Sequence, residues 1–342
     1  MNLPAPRIGI VGARRRRQGL GPFMARFLRA RGANIAAVLG TSEESAGLAA
    51  RELEEIGISA RPCGSPEPFF GECELDAVVI ASPHESHRAC LEAALDHGQH
   101  VLCEKPFIWS QSGESTGSSV MAARDLVRRY TEAGLLLQEN VQWAYTLNAY
   151  RALHSIPAAK IESLGFLLGP AATDDGRITD SLSHVLSLLQ ALDGRPDERP
   201  AGDLAELPPL ENITFEETPV SGSEVGTLWI RFDYPGRRGV IPTEVELRHS
   251  PDPPRPAGYA IDGCWVHREI EPESYAMSFV AEESRRAPVP DPMDALLADF
   301  LGGVRRALAG EPLEPGPPPI AAPWIVPRLA HLQQLHSEFV SR

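Results

Sequence analysis

The run His100-Val101-Leu102-Cys103-Glu104-Lys105-Pro106 sets a carboxylate and an amine at the end of an apolar stretch, with a proline after them. In an open α/β sheet, chemistry collects at the carboxyl ends of the strands. An amine held there can hydrogen-bond a substrate oxygen or pass it a proton. Pro106 also admits a cis bond to Lys105, which would aim the amine. Farther along, Asp180 and His184 stand four residues apart in an apolar helical pattern, so they share one face, one turn apart. A histidine side chain titrates near pH ~6.5 and can take or release a proton around neutrality. Such a set could hold a substrate oxygen and move a proton to or from it. His184 would be the acid/base, Asp180 would orient its ring, and Lys105 would polarise the oxygen. The competing reading makes Asp180 only a helix N-cap and His184 a polar residue at a helix boundary.

The elements expected to position these groups are short strands alternating with helices. Residues 7–11, 35–39, 77–81 and 101–103 read as strands, and 77–81 is apolar throughout, as in a parallel sheet buried on both faces. Helical periods begin at Gly21-Pro22 and cover 43–56 and 86–95, closed by Gly32, Gly57 and Gly98. This alternation predicts a doubly wound α/β sheet. After Pro106 the serine- and glycine-rich stretch 111–119 reads as a loop, followed by a helix over 121–133, a strand from Leu135 and a helix over 180–192. Beyond a proline- and acid-rich linker at 195–209 the texture changes. Residues 213–216, 225–234, 240–248 and 259–270 are β-rich and several alternate, as in an antiparallel sheet with one solvated face. Helices are predicted over 292–308 and 324–340, around a proline-rich 311–323. The 342 residues fit two domains. The first is expected over 1–135. The second, over 136–342, is α+β, with an open, mainly antiparallel sheet flanked by helices and terminal helices that can pack back on the first domain.

The first strand runs into Gly12-Ala13-Arg14-Arg15-Arg16-Arg17-Gln18-Gly19-Leu20-Gly21, and a helix follows. Small residues here let backbone N–H groups approach a phosphate, and a helix N-terminus adds favourable partial charge. The loop is longer than Gly-x-Gly-x-x-Gly, and a glycine-punctuated turn is the plain alternative. Its arginines could meet a dinucleotide's phosphates or be a solvated charged loop. The second strand ends in Leu39-Gly40-Thr41-Ser42, without the acid that takes the ribose 2′-OH in NAD-preferring folds. That absence, with Arg14 and Arg15 nearby, favours NADP over NAD.

A net charge of −14 argues against nucleic acid or an anionic membrane as partner. No apolar stretch approaches the ~20 residues of a membrane span. The five cysteines are odd in number and lack a Cys-x-x-Cys pair, which fits a reducing cytoplasm and supports neither a zinc site nor a disulfide framework. A cytoplasmic protein acting on a small molecule, without a metal, is expected.

Residues 77–87 read Ala-Val-Val-Ile-Ala-Ser-Pro-His-Glu-Ser-His, and 98–106 read Gly-Gln-His-Val-Leu-Cys-Glu-Lys-Pro. They resemble the glucose–fructose oxidoreductase / inositol dehydrogenase / MocA (Gfo/Idh/MocA) family, which carries Ala-Thr-Pro-Asn-x-x-His after one strand and Glu-Lys-Pro after the next. Here Ser82 replaces the threonine and His84 the asparagine, while Pro83 and His87 match. Asp180-Ser-Leu-Ser-His184 resembles the family's Asp-x-x-x-His. The chain departs from the family in its stretched glycine loop, in the apparent insertion 111–119, and in 138–143, which stands where the family often has an aromatic-plus-arginine motif.

The resemblance implies a Rossmann first domain and hydride transfer between a nicotinamide (NADP or NAD) and a hydroxyl or keto carbon of a sugar, polyol or related compound. It implies dinucleotide contacts from Gly12, Ala13, Arg14, Arg15, Gly19, Thr41, Ser42, Ser82, Pro83, His84 and His87, with Glu104 facing the nicotinamide ribose. Substrate contacts would come from Lys105, Asn140, Gln142, Trp143, Asp180 and His184, with Trp143 alternatively a core residue. Trp109 and 111–119 could form a lid. A homodimer or homotetramer through the second sheet is implied, with Val225, Leu228, Ile230 and Phe232 as its apolar face. Two other functions stay open: a glycosidase or lyase that recycles a tightly held NAD(P), and a cofactor-sensing binding protein.

Overall fold

The computed structural model describes residues 5–14, 20–109, 116–193, 208–221, 225–313 and 320–342. The chain forms two compact units. The first takes Met1–Asn140 and Met293–Val326; the second takes Val141–Glu198, Asp203–Pro292 and Pro327–Arg342.

In the first unit, β1 (Arg7–Val11), β2 (Asn34–Leu39), β3 (Arg61–Cys63), β4 (Ala77–Ile80), β5 (His100–Cys103) and β6 (Leu137–Glu139) make one sheet in the order β3-β2-β1-β4-β5-β6. Every pairing is parallel. Helices α1 (Gly21–Ala30), α2 (Glu43–Glu54), α3 (His87–Asp96) and α4 (Thr116–Glu132) make the connections. All residues of β4 and β5 are buried, which is why their sequences are apolar runs rather than alternations. The strand order reverses between β1 and β4, the switch point beside which such sheets hold ligands.

Two expectations change here. Residues 116–119 belong to the start of α4 rather than to a loop, because the serines and glycine there precede a long helical period. The rest of the expected lid loop, 111–115, lies outside the described residues, as do Arg15 and Gly19. The edge strand β3 was not expected, since its three residues include Pro62 and two are exposed.

In the second unit an eight-stranded sheet runs β14-β13-β12-β11-β7-β10-β9-β8. Its strands are β7 (Leu164–Leu168), β8 (Glu211–Thr218), β9 (Thr227–Gly236), β10 (Gly239–Leu247), β11 (Ala257–Ile261), β12 (Cys264–Ile270), β13 (Met277–Val280) and β14 (Arg286–Val289). Pairing is antiparallel except between β7 and β10. The single run expected over 259–270 is a hairpin, turned at Asp262-Gly263, both with positive φ. Helices α5 (Leu147–Arg151) and α6 (Gly176–Asp193) lie in this unit. Helix α7 (Pro292–Leu308) belongs to the first unit except for Pro292, and α8 (Ala322–Val340) to the second from Pro327 onward.

The face proposed for subunit contact also changes. Leu228, Ile230 and Phe232 are at most 2% exposed within the single chain, so they belong to its own core. The opposite face of β9 carries Trp229 and Arg231, and Arg231 bonds Glu216 and Glu244 on the neighbouring strands.

Candidate active site

In the first unit, Gly12 ends β1 with φ +82, and a Cβ there would lie 2.7 Å from the Ala81 carbonyl oxygen. Only glycine admits this turn and lets β1 pass so close to the loop after β4. A Cβ on Gly21 would fall 2.5 Å from the Gly12 carbonyl oxygen, so α1 starts hard against the same turn. Helix α1 has no side-chain cap and a proline in its first turn, leaving its free N–H groups for an anion. These features fit a dinucleotide phosphate. Ala13 is buried beside Gly12, and Arg14 follows, its Nε 3.6 Å from Glu52 on α2.

At the end of β2, Ser42 caps α2: the Ser45 N–H donates to Ser42 Oγ at 3.2 Å, and the Ser42 N–H donates to Ser45 Oγ at 3.1 Å. Thr41 Oγ1 is 3.3 Å from Ser45 Oγ. Glu43 accepts from the Gly64 N–H at 3.2 Å and is thereby turned toward the loop after β3.

The loops after β4 and β5 are joined by His87. This residue is fully buried; its Nε2 is 2.9 Å from the Ser82 carbonyl oxygen, and its Nδ1 is 3.1 Å from that of Pro106 and 3.3 Å from that of Phe107. Burial lowers its pKa from the usual histidine value, and the carbonyls oppose that shift. Sequence reasoning had placed His87 among the dinucleotide contacts; in the structure both ring nitrogens face backbone. Ser82 Oγ pairs with Ser86 Oγ at 2.6 Å, Pro83 accepts from the Ser86 hydroxyl at 2.8 Å, and half-buried His84 lies 3.5 Å from Glu85.

On the β5 side, the Glu104 N–H extends the ladder to the Ile80 carbonyl at 2.8 Å, which places its side chain at the strand end. Asn140, expected at the substrate, is buried and donates through Nδ2 to Glu104 Oε1, while its N–H bonds the Cys103 carbonyl at 2.8 Å. Burial pushes the Glu104 carboxyl up to about 7; the Asn140 bond and the Lys105 charge pull against it. Lys105 follows, half-buried, with a cis bond to Pro106.

In the second unit, every residue between 177 and 190 on α6 is buried except Asp180 and His184. Asp180 is exposed and His184 half-buried. The helix begins at Gly176, so Asp180 is an interior residue and not its N-cap. Helix α6 packs on the turn Trp143–Thr146, which half-buried Gln142 precedes. Trp143 is itself packed, edge-on to Phe166 at 5.0 Å and to Tyr259 at 6.0 Å. Sequence reasoning missed Arg268, whose guanidinium lies 5.9 Å over that indole. Its signal was a charged residue in the buried phase of an alternating strand.

A parallel sheet of this order, with a glycine turn after β1 and polar loops after β4 and β5, defines a dinucleotide-binding Rossmann unit. Residues 6–141 match the Gfo/Idh/MocA model, described as an oxidoreductase family with an NAD-binding Rossmann fold. The chain is 35% identical over 113 residues to a 1,5-anhydro-D-fructose reductase of Ensifer adhaerens, covering 33% of this chain and 30% of that one. It is 30% identical over 158 residues to a D-xylose 1-dehydrogenase (NADP(+)) of Haloferax volcanii, covering 44% of each. The matched segments thus span less than half of these curated relatives. The fold continues through the whole chain: a UDP-N-acetylglucosamine 3-dehydrogenase from Acidithiobacillus ferrooxidans superposes with TM-score 0.63 over 98% of both chains at 20% identity. Residues 6–141 are thus similar to the Rossmann segment of the Gfo/Idh/MocA oxidoreductases.

Proposed function

We propose that this protein is an NAD(P)-dependent oxidoreductase that interconverts a hydroxyl and a keto group on a sugar, polyol or related compound. The observation that carries this is the Glu104-Lys105 pair at the carboxyl end of β5, beside the switch point of a Rossmann sheet. The Asp180 and His184 pair on α6 supports it, because these are the only two residues of the stretch 177–190 that are not buried.

When bound, the nicotinamide accepts or supplies the hydride. Lys105 Nζ donates to the substrate oxygen and stabilises the negative charge that grows on it. His184 takes the hydroxyl proton in oxidation and returns it in reduction, with Asp180 one turn away to orient the ring. Glu104, held by Asn140, keeps a proton-exchanging carboxyl next to Lys105.

NADP is preferred over NAD in this reading. The end of β2 offers Thr41 and Ser42 rather than an acid, Glu43 is engaged by Gly64, and Arg14 stands across from α2. The five thiols, four of them buried, suit the reducing cytoplasm.

The test is incubation with a panel of sugars, inositols and keto-sugars and either cofactor. Reduced nicotinamide is expected in proportion to oxidised product. Turnover with no net reduction would replace this reading with cofactor recycling. Equal affinity for NADH and NADPH in a fluorescence titration would remove the NADP assignment.

A further inference from the structure

Arg268 is a charged side chain on the covered face of the second unit's sheet. In β12, Val266, Arg268 and Ile270 share one side, while Trp265 and His267 stack on the other. Val266 pairs with Tyr259 and Arg268 with Phe279, and those two rings meet edge to face within the core. The adjacent acid, Glu269, falls on the opposite side, where it pairs with Arg286 at 2.6 Å.

The Arg268 guanidinium lies over the Trp143 ring, and its Nη2 donates to the Arg255 carbonyl at 2.8 Å. Arg255 comes from the loop between β10 and β11, and its Nη2 donates to the Pro251 carbonyl at 3.3 Å. Among the described residues neither arginine has a carboxylate within ion-pair distance, and the Nε of each is buried without a hydrogen-bond partner. Burial first, and the Arg255 charge second, lower the Arg268 pKa from its ordinary value. Two half-buried like charges without a counter-ion are unfavourable unless something neutralises them.

These arginines adjoin the α6 end of the unit. Trp143 follows Gln142 in the turn on which α6 packs. The Arg255 loop is tied to the end of β7 by the Arg248 N–H on the Leu168 carbonyl and the Ser250 N–H on the Pro170 carbonyl. From Pro170 the chain leads into α6 with Asp180 and His184.

We propose that Arg268, lying over Trp143, and Arg255 form an anion subsite for a carboxylate or phosphate on the substrate. The compound oxidised or reduced is then an acidic sugar derivative rather than a neutral polyol, a statement that rests on the redox reading above. Guanidinium forks match both anions, and the indole fixes the plane of one of them.

The test is calorimetric titration of the full chain, in the presence of NADP+, with glucuronate, glucose 6-phosphate and glucose, alongside nicotinamide reduction by the same three. At least one anionic probe is expected to bind about tenfold or more tightly than glucose, and the preference to weaken with salt. Arg268→Gln and Arg255→Gln should each cut the preference about tenfold, consistent with loss of one charge-assisted contact. Arg268→Gln should leave the melting temperature unchanged or higher, because it removes an uncompensated charge. Preference for glucuronate alone marks a carboxylate subsite, and for glucose 6-phosphate alone a phosphate subsite. Equal binding of all three probes, or a preference that survives both substitutions, overturns the proposal. Arginine-dependent anion binding without any nicotinamide turnover would sink the redox reading and keep the subsite. Turnover of neutral sugars with no anion preference would do the reverse.

Discussion

The two units carry their chemistry differently. In the first, Ser82, Glu104 and Lys105 sit on loops leaving a parallel sheet, and one buried histidine bonds the backbone of both loops. In the second, Asp180 and His184 look out of a helix whose neighbouring residues are all buried. Loop-borne groups depend on a few directed bonds. Helix-borne groups depend on the packing of a whole core, which resists small displacements. The first arrangement can be disturbed by one lost hydrogen-bond donor, the second only by repacking.

The comparison is tested most severely by joining its two sides. On the proposed mechanism, Lys105→Met and His184→Asn should each lower kcat by ~10²–10⁴-fold, and the double variant should lose little more than the worse single one. Losses that multiply in steady-state kinetics would mean that the two units act separately.

A smaller effect is expected for the histidine that links the loops. His87→Leu removes the ring whose nitrogens lie within hydrogen-bond distance of the Ser82, Pro106 and Phe107 carbonyls and should lower stability by about 2 kcal/mol in urea unfolding. It should also weaken dinucleotide binding, and His87→Gln should restore part of both. A loss of stability with unchanged dinucleotide affinity would break the link between this residue and the loops' function.

A third test concerns Glu104. Its carboxyl titrates at about 7 in the folded chain against 4.5 ordinarily, so the folded state binds this proton more tightly than the unfolded one. Its contribution to stability is therefore complete below the lower value and is lost as pH rises through the higher one. Glu104→Gln should flatten that part of the stability–pH curve, measured as urea midpoints across the interval. An unaltered slope would show that the carboxyl is not the group responsible.

The same contrast explains what could be read in the sequence. β1, β4, β5 and α7 were legible because buried parallel strands are apolar runs and a surface helix shows its period. β7, reading Leu-Gly-Phe-Leu-Leu, was not: it is flanked by strands on both sides and shows no alternation to separate it from a piece of helix. β13 and β14 have four residues each, too few to show a period. Glu104 and Lys105 stood out through their motif and strand end. The bond from Asn140 to Glu104 and the backbone contacts of His87 did not, since both depend on how distant loops meet. Arg268 was hidden by reading 259–270 as one strand; the turn at Asp262-Gly263 resets the alternation and puts the arginine on the covered side.

The close approach of Gly21 to the Gly12 carbonyl has a consequence for how this chain can change over time. Gly12 and Gly21, which bracket the arginine-rich segment, lie close together. Ring-closure entropy grows only slowly with the number of residues enclosed. Changes in the length of that segment therefore carry a small closure-entropy cost. On the proposed reading, selection can retune dinucleotide preference at that point while the sheet beneath is inherited unaltered.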